Sequence, residues 1–266
     1  MPTDTPPRRK WRITRWLIVG IIATLGWGGW RAHTFRSALS QAKALGWRVE
    51  YTDPAKEIRT DWKAAFKKAT WLDGVTNVLM SSSESLEQHL AIVHRLTPKR
   101  LTIGNAATLR DLSPLKSLSA LQEVHLINCT GLKNVDGLKN LSALQMVSLS
   151  GCTGLTNVDA LEHLSALRTV YLSDCGLANV DGLKNLSALQ KVWLDEWTEL
   201  ANVDALKNLS KLKWVHLNGC TGLTNVDALK NLPALRDVYL EGCTGLTKES
   251  VAALKAALPK AQISGP

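Results

Sequence analysis

Several signals of chemistry are missing from this sequence. It contains no C-x-x-C pair, so the close ligand spacing typical of structural metal sites is lacking. It has no glycine-rich phosphate loop, no paired carboxylates in a recognisable cleft and no Ser/His/Asp order that would suggest nucleophilic catalysis. No catalytic residue, metal ligand or cofactor is therefore assigned, and the expectation is a protein that is not an enzyme. Phenylalanine is scarce, with 2 residues in 266, whereas tryptophan is plentiful with 10. Acidic residues are nearly absent from the first 31 positions. There Arg8, Arg9, Lys10, Arg12, Arg15 and Arg31 face only Asp4. That segment carries +5 of the net +9, leaving +4 for the other 235 residues. The folded part is close to neutral, and no nucleic-acid partner is expected.

Charge is also missing from residues 16–30, WLIVGIIATLGWGGW. An uncharged run after a basic segment is an export signal. It is short for a span of about 20 residues, but Trp11, Trp16, Trp27 and Trp30 suit the two membrane interfaces. Gly26/Gly28 and Ala38/Ser40 are poor cleavage sites, and no cysteine follows that could take a lipid. The run is read as a retained transmembrane signal anchor rather than a cleaved peptide. The upstream charge places the N-terminus in the cytoplasm and the rest outside, periplasmic or extracellular, on a single-pass cytoplasmic-membrane protein. The domain reading is a basic cytoplasmic segment at 1–15, an anchor at 16–30, a linker and N-terminal cap at 31–74, repeats at 75–246 and a C-terminal cap at 247–266.

What is present in abundance is repetition. Leu121, Leu144, Leu167, Leu189, Leu212 and Leu235 open six near-identical copies spaced 23, 23, 22, 23 and 23 residues apart. An earlier copy runs from Leu101 through Ile103, Leu109, Leu112, Leu115 and Leu118, and a degenerate one places Val78 and Met80 at strand positions. A fixed period of this length means a solenoid. Within each copy V-x-L alternates with period two, so valine and leucine point inward. A column of aspartates (Asp136, Asp159, Asp181, Asp204, Asp227), with Ser113 and Ser250 in the end copies, is expected to N-cap a short helical turn on the outer side. Lys139, Lys184, Lys207 and Lys230 form a solvated column there. About six aliphatic side chains per coil should be buried. WRVEY reads as a strand, residues 54–70 and the segment from Ser85 as helices, and ESVAALKAAL as a closing helix capped by Thr247 or Ser250 and followed by an AQI strand.

The motif L-x-x-V-x-L-x-x-C, as in Leu121, Val124, Leu126 and Cys129, resembles the leucine-rich repeat family. The downstream Leu132, Val135, Leu138 and Leu141 are similar to the 22-residue internalin-like class, and the added Thr-Gly to the cysteine-containing class. The resemblance covers roughly residues 75–262. The region before it looks like the cap of short exported bacterial members. It implies an α/β leucine-rich repeat solenoid with a curved parallel sheet on the concave side, short helical turns on the convex side, an α/β N-terminal cap and, here, an N-terminal transmembrane helix.

Cys129, Cys152, Cys175, Cys220 and Cys243 share one inward position. There a thiol acts as a small buried hydrophobe that can hydrogen-bond backbone. Side chains in one inward column lie parallel, which disfavours a disulfide, and no base stands beside any of them. Ala106 and Trp197 replace the cysteine in two copies. The central outward strand residues are Thr102, His125, Ser148, Tyr171, Trp193, His216 and Tyr239. Trp214 lies one column over, Trp197 at the edge, and Lys191, Asp195, Glu196, Asn218, Asp237 and Glu241 around them. An exposed aromatic stripe on a solenoid face is what a binding site would look like. The plainer reading is a ladder of rings stacked only on each other. The candidate ligand-binding residues are His125, Tyr171, Lys191, Trp193, Asp195, Trp214, His216, Asp237 and Tyr239. Three functions follow: a protein or peptide recognition module, a glycan or cell-wall binder, or a structural envelope protein.

Overall fold

The computed structural model describes residues 33–34, 36–51, 75–81, 92–177 and 179–265. The expected anchor at 16–30, the expected helix at 54–70 and most of the one from Ser85 lie outside these residues. Among the described residues no helix is long and apolar enough to cross a membrane.

Ten strands form one sheet in sequence order. They are β1 (Arg48–Tyr51), β2 (Val75–Ser81), β3 (Arg100–Gly104), β4 (Glu123–Ile127), β5 (Met146–Ser148), β6 (Thr169–Tyr171), β7 (Lys191–Trp193), β8 (Trp214–His216), β9 (Asp237–Tyr239) and β10 (Gln262–Ser264). From β2 onward every neighbouring pair is parallel and in the register set by the repeat: Val124 opposes Val147, Val147 opposes Val170, and so on through Val238 and Ile263. Only β1 runs antiparallel, against β2. A two-residue pleat then forces each intervening residue onto the open face of the sheet.

The coil interior is largely aliphatic. In the copy that opens at Leu121, the residues Leu121, Val124, Leu126, Leu132, Val135, Leu138 and Leu141 are fully buried together with Cys129. That is seven aliphatic side chains per coil rather than about six, because the leucine after the outer turn also packs inward. At roughly 1.5–3 kcal/mol each they outweigh anything else in the coil, but only once a neighbouring coil covers them.

On the outer side each coil makes a 3-10 turn: Ser113–Ser117, Asp136–Leu138, Asp159–His163, Asp181–Leu183, Asp204–Leu206 and Asp227–Leu229. The aspartate column opens the turn, as its sequence position suggests, but it does not cap it. None of these aspartates accepts a capping bond. The acceptor is the asparagine two residues earlier. Asn134, Asn157, Asn179, Asn202 and Asn225 each take the N–H of the aspartate on Oδ1 at 2.7–3.3 Å. This Asx turn fits a three-residue 3-10 helix better than an α-type N-cap, which needs a longer first turn. In the first copy Asp111 accepts from the Ser113 N–H at 2.8 Å in the same way.

Both ends are closed. A helix over 36–44 buries Ala38 and Ala42, four residues apart on one face. It ends in a Schellman pair, Trp47 N–H to the Ala42 carbonyl at 2.9 Å and Gly46 N–H to the Lys43 carbonyl at 3.0 Å, with Gly46 at φ +73°. This helix is absent from the sequence-level expectation; the Ala-x-x-x-Ala spacing before Gly46 was its signal. At the other end Thr247 caps the helix Lys248–Ala257, its Oγ1 accepting the Ser250 N–H at 3.1 Å. β10 then pairs with β9.

Candidate binding face on the sheet

The strand register brings Tyr171, Trp193, His216 and Tyr239 into one column on the open face. Their rings stack continuously. Centroids are 4.2 Å apart for Tyr171 and Trp193, 4.8 Å for Trp193 and His216, and 4.3 Å for His216 and Tyr239, with interplanar angles of 18–22°. Strand spacing of about 4.8 Å sets this geometry, since side chains directly opposite on adjacent parallel strands repeat at that distance. Trp193 and His216 are therefore covered on both faces and present their edges outward. Ser148 and Thr169 beside the ladder are buried. His125 stands two coils before Tyr171 and is not part of the stack.

Trp214 occupies the next column, between Lys191 and Asp237. The Lys191 ammonium lies 4.5 Å from its ring centroid and that of Lys213 5.8 Å, both within reach of a cation–π attraction. Burial pushes the His216 imidazole below its usual pKa, against the opposing pull of Asp195, Asp237 and Glu241. Burial likewise raises the Asp195 carboxyl, partly offset by the Asn218 N–H it accepts at 2.9 Å. Asn218 Oδ1 in turn accepts the Glu241 N–H at 3.0 Å, so the rim beyond the ladder is tied coil to coil.

Glu196 completes that rim. It holds a left-handed backbone, φ +63°, in a column otherwise filled by Gly151, Gly219 and Gly242 and by Asn105, Asn128 and Asp174. For a side chain without the short polar reach of Asn or Asp this costs on the order of 1–2 kcal/mol. Its carboxylate lies over Gly219, where an added Cβ would sit 2.8 Å from Oε2. Glycine at 219 is favoured by its own left-handed φ of +72°.

The two halves of the face treat charge differently. On β3 and β4, Arg100 pairs with Glu123, and His125 Nε2 lies 3.5 Å from the same carboxylate. The Arg100 hydrogen bond holds the Glu123 carboxyl below its usual range. From β6 onward this face has no such pairing among the described residues. Asp174, Asp195, Glu196, Asp237 and Glu241 have no cationic partner among the described residues, and Arg168, Lys213, Arg236 and Lys260 have no carboxylate partner.

The remaining sequence-level candidates resolve into structure. All five cysteines are free and buried. Four thiols donate to the strand-leucine carbonyl of the preceding coil: Cys152 to Leu126 at 3.4 Å, Cys175 to Leu149 and Cys220 to Leu194 at 3.1 Å, and Cys243 to Leu217 at 2.9 Å. Cys129 does so to Ile103 at a long 3.8 Å. Burial pushes the Cys175 and Cys220 thiols up to about 12, which disfavours the thiolate form at neutral pH.

Trp197 is not at the edge of the binding face. It is 1% exposed, inside the coil, in the cysteine column. The copy before it is the 22-residue one, whose Cys175-Gly176-Leu177 lacks the threonine of C-T-G-L. The following turn stretches, with Leu200 N–H to the Trp197 carbonyl at 3.4 Å against 3.0–3.1 Å in the cysteine coils. The indole Nε1 has no partner there. Lys184 and Lys230 of the outer column reach Glu162 at 3.5 Å and Asp227 at 2.6 Å. His94 Nε2 lies 2.9 Å from Ser117 Oγ.

No protein-family model and no curated protein matches the sequence. Solved structures do. The chain is similar to internalin C2 of Listeria monocytogenes, with 22% identity and a TM-score of 0.55, covering 73% of this chain and 82% of that one. It is also similar to the leucine-rich repeat domain of the type III effector XopL, with 18% identity and a TM-score of 0.54, covering 99% of this chain and 97% of that one. With the 23-residue period, the in-register parallel sheet and the outer 3-10 turns, these likenesses establish that the chain has the leucine-rich repeat fold.

Proposed function

We propose that this protein is a non-enzymatic recognition module that binds a protein or peptide on the open face of its sheet. The observation that carries the reading is the contrast between the two halves of that face. At the β3–β4 end Arg100, Glu123 and His125 satisfy one another, and Lys99 is the charge beside them with no carboxylate partner among the described residues. Around the Tyr171–Trp193–His216–Tyr239 ladder the charges on both sides are unspent. An aromatic centre with a mixed polar rim is the anatomy of a protein interface. The ladder contributes to stability by itself, at about 0.5–1.5 kcal/mol per aromatic pair. That contribution gives no reason for charged rows held apart on either side of it.

Glycan binding is the second reading, because tryptophan and tyrosine rings stack on sugars. The stacked ladder weighs against it: both faces of Trp193 and of His216 are taken by neighbouring rings. The basic segment at 1–15 and the uncharged run that follows it support tethering through a signal anchor at 16–30, with the repeats outside the cytoplasmic membrane.

The test compares the wild type with a Trp193→Ala/Trp214→Ala variant in affinity capture from envelope extracts and on wall fragments. The variant is first checked for an unchanged circular dichroism spectrum. A protein retained by the wild type and lost from the variant supports the recognition module. Retention of wall fragments alone moves the assignment to the glycan reading, and identical behaviour of both chains contradicts a binding role for this face.

A further inference from the structure

Apart from Asp237, which opens β9 on the basic side, the unspent charges around the ladder are sorted by sign. On the side where the strands begin lie Arg168, Lys213 and Arg236, each two residues before its strand valine. Lys213, Arg236 and Lys260 line a shallow pocket of about 490 Å³ together with Leu235, Asp237 and Gln262. On the side where the strands end lie Asp174, Asp195, Glu196 and Glu241. From Lys213 to Asn218, or from Arg236 to Glu241, is five residues of extended chain. At about 3.3 Å per residue the two rows stand roughly 16 Å apart with the ring edges between them.

We propose that this face takes an extended polypeptide segment of a partner protein that crosses the ladder along the strand direction. A carboxylate of the segment enters the Lys213–Arg236–Lys260 pocket, and a lysine or arginine reaches the Asp195–Glu196–Glu241 rim. An extended peptide covers the same 16 Å in about five residues, so the two charges sit roughly four to six positions apart. Between them an apolar side chain meets the edges of His216 and Tyr239. Complementary charge at both ends fixes the register of the segment and rejects segments of uniform charge, for which one end is repelled. The rigid rim, with Asp195 and Asn218 bound to the next coil and Glu196 seated over Gly219, lowers the ordering cost of receiving the cation.

This inference rests on the recognition reading and sharpens it to a class of ligand. The experiment is selection of a displayed library of random octapeptides on the full chain. It is run in parallel on Trp193→Ala/Trp214→Ala, on Lys213→Glu/Arg236→Glu/Lys260→Glu and on Asp195→Lys/Glu241→Lys, each with an unchanged circular dichroism spectrum. The wild type is expected to enrich peptides carrying an acid and a lysine or arginine four to six positions apart. The pocket reversal should weaken those peptides about tenfold and remove the preference for the acid; the rim reversal should remove the preference for the base. Enriched peptides without opposite charges, or charge reversals that leave selection unchanged, overturn this proposal while leaving the recognition module standing. No enrichment over the tryptophan variant overturns both.

Discussion

The imidazole of His216 lies 4.8 Å from the ring of Trp193 and is nearly parallel to it, with Tyr239 at 4.3 Å on its other side. An ionisable ring has thus been placed inside an aromatic stack, with Asp195, Asp237 and Glu241 around it.

A pH dependence follows from that placement. Burial lowers the His216 pKa in the folded state below its unfolded value, despite the nearby carboxylates. The unfolded chain then binds the proton more readily, so stability rises with pH through the window. The stability is fully present above about 6.5, the unfolded histidine value, and is lost as pH falls from there toward the depressed folded value. Asp195, whose carboxyl is raised by burial, acts with the opposite sign but near the lower pKa of a carboxylate. The expected outcome is a melting temperature that falls between pH 7.5 and 5.5 in the wild type, and falls less in His216→Phe, which keeps the stack and removes the proton. Differential scanning calorimetry of both chains checks it.

The thiols should be silent until the chain unfolds. At pH 8, Ellman's reagent is expected to find none of the five cysteines in the native protein and all five in guanidinium chloride, because each is buried and burial raises the thiols of Cys175 and Cys220. Cys220→Ala removes the bond to the Leu194 carbonyl and a little volume, and should cost about 1–2 kcal/mol in urea unfolding.

Restoring the repeat consensus at one position should harm the protein. Trp197 is 1% exposed in the cysteine column, so Trp197→Cys removes most of a large buried side chain and leaves a cavity instead of completing the thiol ladder. A loss of about 3 kcal/mol is expected, from the range of large-to-small core substitutions. Equilibrium unfolding that shows no loss would mean that the neighbouring coils close over the gap.

The outer turns depend on the asparagines. Asn225→Ala deletes the acceptor for the Asp227 N–H and should cost about 1 kcal/mol. Asp227→Ala, which removes only a largely exposed ion pair with Lys230, should cost less. The opposite order in urea midpoints would restore the aspartates to the capping role suggested by their sequence column.

Much of this architecture is legible in the sequence, because a solenoid turns a one-dimensional period into a two-dimensional array. Once Leu121 and its five successors are aligned, the inward column at Val147 and Val170 and the outward column at Trp193 and His216 follow without further information. What failed to follow depended on conformation finer than the period. The asparagine caps were missed because the aspartate column was read as an α-helix N-cap, and the turn is a 3-10 helix whose first N–H faces a residue two positions back. Trp197 was misplaced because its residue type outweighed its register, although the cysteine column already pointed it inward. The difference between the paired Arg100–Glu123 end and the unpaired end beyond Tyr171 is a matter of side-chain reach between residues 23 apart. Columns locate those charges but do not pair them.

The most direct test of the recognition reading is in-cell photo-crosslinking from a probe at position 193 on the open face, with a control probe at position 207 on the outer face. The account predicts a discrete protein adduct from position 193 and none from position 207. Equal labelling at both positions, or none at either, would contradict it.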